Sequence, residues 1–281
     1  IPIVNRDDNI RFFDHRRENS RTDWDNGGKP TPEWEAILDE AIKAADKSGH
    51  YRYAFPKELG GQAGSNLDMA VIREHLTKKG LGLHCDLQNE HAVVANNISL
   101  LLMLEYGNKK QKEKWTEGLA SGDLFIAYGI TEPSHGSDAT HMETSAKKTG
   151  SYWILNGEKT WNSGIHRANA DLIFARTSGK PGEAHGITAF LVPTKIKGFT
   201  LEELLWTFNM PTDHGRVTLR DVKLSDEDIL GEVGKGLRVI QHFFNENRIR
   251  QAAASLGAAQ FCINESISYS KKRKPFGKEL A

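Results

Sequence analysis

The spacing of apolar residues changes period twice along the chain, and that order constrains the fold more than any single motif. From Thr31 onward, apolar residues recur at Trp34, Ile37, Leu38, Ala41, Ile42 and Ala45, the i, i+3, i+4, i+7 spacing of a helix with one buried face. Thr31-Pro32-Glu33 supplies an N-cap, a proline for the first turn and an early acid, and Ser48-Gly49 supplies the stop. Further helices are predicted from a cap at Asn66 to Gly80, over about 91–106, and from about Lys109 to Ser121-Gly122. At about Leu124 the character turns to strands. They are predicted at 152–155, 158–161, 172–176, 186–192 and 217–222, with Asn156-Gly157 as the tight turn of a hairpin. No helix of crossover length separates them, so an antiparallel sheet, closed as a small barrel or sandwich, is expected. From Gly236 the helical period returns through Leu237, Ile240, Phe243 and Phe244, then Ile249, Ala252, Ala253, Leu256, Ala259 and Ile263. The fold class is therefore α+β and multidomain. It has a polar arm over 1–30, an all-α domain over 31–124, a middle β-domain over 125–233, and the first helices of a further α-domain over 234–281. The chain ends inside what reads as continuing structure.

Charge and cysteine content exclude several function classes. Lysine plus arginine and aspartate plus glutamate both number 37, so the basic excess of a general nucleic-acid binder is absent. The longest apolar run, Leu100 to Leu104, is too short to cross a bilayer, and the first twenty residues are too polar for an uncleaved secretory signal. Cys85 and Cys262 form no metal spacing and are expected as buried thiols in a reducing, intracellular compartment. Mitochondrion, peroxisome and cytoplasm all remain open.

Several apparent motifs fail on geometry. Gly231-Glu-Val-Gly234-Lys-Gly236 lacks the GxGxxG spacing and reads as a turn before a helix. Gly157-Glu-Lys-Thr160 lacks the upstream glycine of a phosphate loop. His84 and His91 are too far apart to share a metal on one helix face, and no metal site is expected. Lys271-Lys-Arg-Lys274 reads as a solvated helix end that complements the helix dipole.

One segment stands out chemically: Tyr128-Gly-Ile-Thr131-Glu-Pro-Ser-His-Gly136-Ser137-Asp138. It offers two hydroxyls, a glycine that admits close backbone approach, and a Gly-Ser turn whose N–H groups can cradle a phosphate. On these residues alone, a ligand-binding loop and a capped interdomain loop are equally good readings.

The segment resembles the signature of the acyl-CoA dehydrogenase family, aromatic-x-hydrophobic-Thr-Glu-Pro-x-x-Gly-Ser-Asp, and the resemblance extends in order over about 33–281. Pro56-Lys-Glu-Leu-Gly60-Gly61 is similar to the family's early loop. Gly107, Gln111-Lys112, Leu119 and Ser121-Gly122 resemble its fourth-helix pattern. Asn156-Gly157-Glu-Lys-Thr-Trp161-Asn-Ser163-Gly164 resembles its flavin-side hairpin. Asp221-Val222 and 231–236 resemble the exit from its β-domain, and Arg273-Lys-Pro-Phe276-Gly277 matches its Arg-x-x-Phe-Gly motif.

The resemblance implies FAD as cofactor and α,β-desaturation of an acyl-CoA thioester, by α-proton abstraction and hydride transfer to flavin N5. It places Tyr128, Ile130, Thr131, Gly136 and Ser137 along the flavin, with Thr131 on the pyrimidine edge and Ser137 on the pyrophosphate or the thioester ligand. Trp161 and Asn162 join that side, the indole near the dimethylbenzene ring, and Ser163 faces N5. Arg273, Lys274, Pro275 and Phe276 reach the FAD of a neighbouring subunit, so the basic run gains a phosphate partner and a homodimer or homotetramer is implied. Asn245 and Arg248, with Ser137, are the substrate contacts, and the acceptor is electron-transfer flavoprotein or another oxidant. The family's glutamate base lies either in a C-terminal bundle or directly before the position of Arg248. Here that position is Asn247, with Glu246 one step earlier, about 100° round the helix. The base is thus expected beyond this chain, Glu246 being the lesser candidate, and the final helices are expected to expose apolar surface. An acyl-CoA oxidase, a nitroalkane-oxidase-like flavoprotein and a non-catalytic flavin or acyl-CoA scaffold are the alternatives.

Overall fold

The computed structural model describes residues 21–80, 97–207 and 210–280, with Ile3, Arg6 and Arg11. Most of the N-terminal arm, the predicted start of the 91–106 helix, His84, Cys85 and His91 lie outside the described residues. The chain divides into two compact units, 1–37 with 98–243, and 38–97 with 244–281.

The first unit is built on a seven-stranded sheet. A small antiparallel pair, β1 (Thr22–Asp23) and β2 (Lys29–Pro30), precedes helix α1 (Pro32–Lys47). Helices α3 (Ile98–Tyr106) and α4 (Lys109–Ser121) follow the second unit's α2. The sheet strands are β3 (Ile126–Gly129), β4 (Ser145–Thr149), β5 (Tyr152–Ser163), β6 (Ala170–Arg176), β7 (Ile187–Pro193), β8 (Phe199–Thr207) and β9 (Met210–Leu224). Their order is β3-β6-β4-β5-β9-β8, with β7 also on β6. Every residue of β6 is buried, which explains its nearly continuous apolar run. The core gathers Trp153, Leu155, Ile173, Phe190, Val217 and Val222.

The structure corrects two expectations of this sheet. The sheet is mixed: β3 runs parallel to β6, and β4 meets β6 in parallel at Ser145 and Arg176. Between β3 and β6 the chain runs through the β4–β5 hairpin and its flanking loops, without a crossover helix. The Asn156-Gly157 turn does not exist. The turn lies at Gly150-Ser151, between β4 and β5, and β5 runs straight through Asn156-Gly157. Gly157 is needed for close packing instead, because a Cβ there would stand 2.4 Å from Thr144 Oγ1. Asn156 bonds across the sheet to Asp221, accepting its backbone N–H at 2.8 Å. Register shifts interrupt β5 on β9 between Leu155 and Gly157 and between Lys159 and Asn162, and β8 on β9 twice more. Such bulges bend and twist strands, which curls the sheet.

The second unit contains the later part of α1, helix α2 (Asn66–Thr77), and α5 (Gly236–Lys272) from Phe244 onward. Ser65, not Asn66, caps α2: its hydroxyl accepts the Asp68 N–H while the Asp68 carboxylate accepts the Ser65 N–H at 2.8 Å. Thr77 and Glu74 of α2 lie directly against Gly257 of α5, so a Cβ at 257 would collide with both. The distal half of α5 leaves Leu256, Ile263, Ile267 and Tyr269 exposed. Cys262 is also exposed, contrary to the buried thiol expected, since the helix turns it outward. Among the described residues no helix is long and apolar enough to cross a membrane.

Candidate functional site

The loop that follows β3 is held from beneath by one buried cation. Lys159, on β5, donates to the Ile130 carbonyl at 3.0 Å and to Glu132 Oε1 at 2.8 Å. It thereby fixes the residues on both sides of Thr131, whose own carbonyl accepts the Thr160 N–H at 2.9 Å. The Lys159 side chain is 0% exposed and that of Glu132 4%. Glu132 also accepts the N–H groups of Glu143 and Thr144. Burial alone would raise the Glu132 carboxyl, but the Lys159 charge and these hydrogen bonds hold it below the usual range. Tyr128 is locked independently. Its hydroxyl pairs with Ser99 at 2.8 Å, and its ring stacks on Phe243 at 4.5 Å. Beyond Thr131, Glu132 and His135 close a short turn, and Asp138 caps the next turn through Thr140 and His141.

Strand β5 presents the second half of the site. Trp161 sits in the second bulge at φ 67, and its indole is half exposed. Asn162, expected among the cofactor contacts, turns inward instead. Its side chain is fully buried and donates to Asp171 Oδ2 at 2.5 Å. Burial pushes the Asp171 carboxyl up to about 7, against the opposing pull of Asn162 and Lys159. Ser163 Oγ lies 3.1 Å from His214 Nδ1, whose strand neighbour Asp213 places Oδ1 3.2 Å from the same nitrogen. Nearby in sequence, His166 and Arg167 both hold Glu35. Burial raises the Glu35 carboxyl, while these two partners bring it below its ordinary value.

The remaining candidates lie in the second unit. Asn245 and Arg248 are exposed on α5, with the Arg248 guanidinium over the Phe244 ring at 5.3 Å. Glu246 is 2% exposed and pairs with Arg250 at 3.3 Å; Asn247 accepts from Arg250 Nη2 at 3.0 Å. Arg273 and Lys274 are exposed, Lys274 pairing with Glu279. Pro275 opens a short turn in which Phe276, at φ 55, is wholly exposed.

Within the first unit, the fold brings Thr131 against Thr160, one residue from Trp161. Among the described residues, the hydroxyls of Thr131 and Ser137 and the Trp161 indole N–H have no hydrogen-bond partner, and the space beside Gly136 is open. Beneath these open groups lies a layer of charged and polar side chains, in which the buried Lys159–Glu132 pair is hydrogen-bonded and the buried Asp171 keeps one oxygen, Oδ1, without a partner. The sequence reading missed that layer: Lys159, Glu132, Asp171 and His214. For Lys159 a signal existed, since period two from Trp153 and Leu155 puts residue 159 on the inward face. For Asp171 and His214 there was none, because Asn162 and Ser163 reach them only once the sheet has formed. Among the described residues, no three His, Cys, Asp or Glu side chains are grouped to hold a metal ion.

Comparison with known proteins finds one family along most of the chain. The family model for the acyl-CoA dehydrogenase N-terminal domain matches residues 6–123, that for the middle domain 127–222, and that for the C-terminal domain 234–281. A 3-(aryl)acrylate reductase of Clostridium sporogenes is 31% identical over 86% of this chain and 63% of its own length. A glutaryl-CoA dehydrogenase of Desulfococcus multivorans is 31% identical over 86% of this chain and 61% of its own. The solved butyryl-CoA dehydrogenase of Megasphaera elsdenii is 29% identical, with a TM-score of 0.72 over 88% of this chain and 63% of that one. The chain thus spans about three fifths of the length of these relatives.

Proposed function

The chain belongs to the acyl-CoA dehydrogenase family, and from that premise we propose that it forms the flavin-binding part of an FAD-dependent oxidoreductase acting on acyl-CoA thioesters. The family is FAD-dependent. The single observation that carries the reading is the set of unspent groups at Thr131, Ser137 and Trp161, the first of them fixed in place by the buried Lys159–Glu132 pair. Their chemistry fits FAD: a hydroxyl for a heterocycle edge, a Gly-Ser turn for a pyrophosphate, and an exposed indole for an aromatic ring.

In this reading Thr131 serves the pyrimidine edge, Ser137 the pyrophosphate or the thioester, Trp161 the dimethylbenzene side and Ser163 the N5 side. Asn162 acts only from within, anchoring the strand between Trp161 and Ser163 on Asp171. Arg273, Lys274, Pro275 and Phe276 serve the FAD of a neighbouring subunit in a homo-oligomer. Asn245 and Arg248 face the acyl-CoA. Bound FAD supplies the two-electron acceptor for desaturation between the α and β carbons, and an electron-transfer flavoprotein or another acceptor reoxidises it. Lys159 keeps Thr131 from reorganising, so its hydrogen bond needs no reorientation during reaction. No base is assigned on α5: the Asn247 amide does not take up a proton, and Glu246 is ion-paired with Arg250.

The test is an absorbance spectrum of the protein after incubation with FAD and gel filtration, followed by titration with acyl-CoA thioesters of several lengths. Retained yellow colour that bleaches with one of them supports the reading; a colourless protein overturns it. Asn247 favours one second reading, a flavin-binding scaffold without turnover, for which the colour stays and no thioester bleaches it.

A further inference from the structure

The pairing of β5 with β9 sets Ser163 opposite His214 and brings a serine, an imidazole and a carboxylate onto one nitrogen. His214 Nδ1 is 3.1 Å from Ser163 Oγ and 3.2 Å from Asp213 Oδ1. A carboxylate offers only lone pairs. An unprotonated Nδ1 would set its own lone pair against the Asp213 oxygen, so the stable arrangement places the proton on Nδ1. Ser163 Oγ, hydrogen-bonded to the same nitrogen, is then the acceptor of that N–H, with the Asp213 carboxylate beside it as countercharge. A serine hydroxyl that accepts at oxygen keeps its own proton to give elsewhere. Ser163 has no other hydrogen-bond partner among the described residues. Asp213 is held in turn: its carbonyl accepts the Gly164 N–H at 2.8 Å, which ties the 213–214 segment to the end of β5. The arrangement is not that of a hydrolytic triad, in which serine and carboxylate address opposite ring nitrogens.

We propose that His214, oriented by Asp213, is a positioning residue that fixes Ser163 as a hydrogen-bond donor toward the flavin seated beside Trp161. This rests on the flavin assignment above and deepens it by giving the polarity of one contact. The residue acts through Ser163 and touches no reacting atom. A donor at this place favours a flavin position that carries a lone pair, which is the oxidised ring.

The experiment combines two measurements on the full chain. In the protein labelled with 15N at histidine, two-bond proton–nitrogen correlation reads which ring nitrogen is protonated, the His214 signal being identified by its loss in His214→Asn. FAD is then titrated into wild type, H214N, H214L, S163A and the double variant S163A/H214L, following dissociation constant and flavin absorbance band. The proposal expects an Nδ1–H tautomer for His214. It expects H214N, whose amide N–H replaces that of Nδ1, to bind FAD within about twofold of wild type with an unchanged band. H214L and S163A each weaken binding about tenfold and shift the band alike, and the double variant is no worse than S163A alone. An Nε2–H tautomer, an unaltered H214L, or additive losses in the double variant overturn the proposal while leaving the flavin assignment standing. Wild-type protein that binds no FAD overturns both.

Discussion

Replacing Lys159 by methionine removes one partner of a fully buried ion pair and leaves the shape of the strand nearly unchanged. Glu132, 4% exposed, then keeps two N–H donors but loses its only countercharge among the described residues. Breaking a buried pair from one side costs about 3–5 kcal/mol, a large share of the 5–15 kcal/mol that holds a typical domain together. The loss carries a pH signature. In wild type the Glu132 pKa lies below its unfolded value, so its contribution is complete above the unfolded pKa and vanishes as pH falls through the lowered one. Without Lys159, burial acts with far less opposition and raises the carboxyl above its unfolded value. The sign then reverses, and K159M becomes more stable as pH falls from 8 toward 5. Urea unfolding followed by tryptophan fluorescence at pH 5, 6.5 and 8 measures both effects. Glu132→Gln added to K159M removes the stranded charge while keeping the acceptor, and restores about half of the loss. A K159M variant within about 1 kcal/mol of wild type at pH 8, or a double variant no better than the single, would refute the account of how the loop is held.

Three further outcomes are expected. Asp171, with its carboxyl raised to about 7, makes folding less favourable as pH rises from about 4 to 7 and has no further effect above that range. Asp171→Asn therefore matches wild type near pH 4 and exceeds it by up to roughly 4 kcal/mol at pH 8, read by chemical denaturation; a variant less stable at pH 8 contradicts the assignment. Gly257→Ala drives a methyl into Thr77 Oγ1 and to within 2.4 Å of the Glu74 carbonyl, costing about 1–3 kcal/mol in thermal melts. Adding Thr77→Ala does not fully rescue it, because the backbone carbonyl remains. Trp161→Ala, Ser137→Ala and Arg273→Glu lower FAD retention after gel filtration more than Lys180→Ala does; equal flavin content in all four counts against the site. Trp161→Ala does so with a stability change below about 0.5 kcal/mol, since its indole is exposed.

The helices were legible because each carries local signals that need no distant partner. Thr31-Pro32 starts α1, Asn108 and Gln111 form a reciprocal cap on α4, and the apolar stripe from Leu237 runs into one long helix. Strands β6 and β7 were legible as apolar runs. Strand β8 was not, because its Leu201, Leu204 and Leu205 fall at helical spacing and reach strand geometry only through two bulges against β9. Polar β4 carried no apolar signal at all and exists because β5 and β6 flank it.

The same division runs through the site. Residue order alone determined the Thr131 to Asp138 loop, the Trp161 segment and the family they resemble, since those depend on which groups are present and how far apart they lie in the chain. Tertiary structure decided which way the groups face. Simple alternation from Trp153 and Leu155 would send Trp161 inward and Asn162 outward; the bulge between Lys159 and Asn162 inverts both. It also decided that Lys159 meets Glu132, that Asn162 meets Asp171 and that Ser163 meets His214. A side chain's direction in a sheet is set by register with a neighbouring strand, and register is a property of two segments distant in sequence.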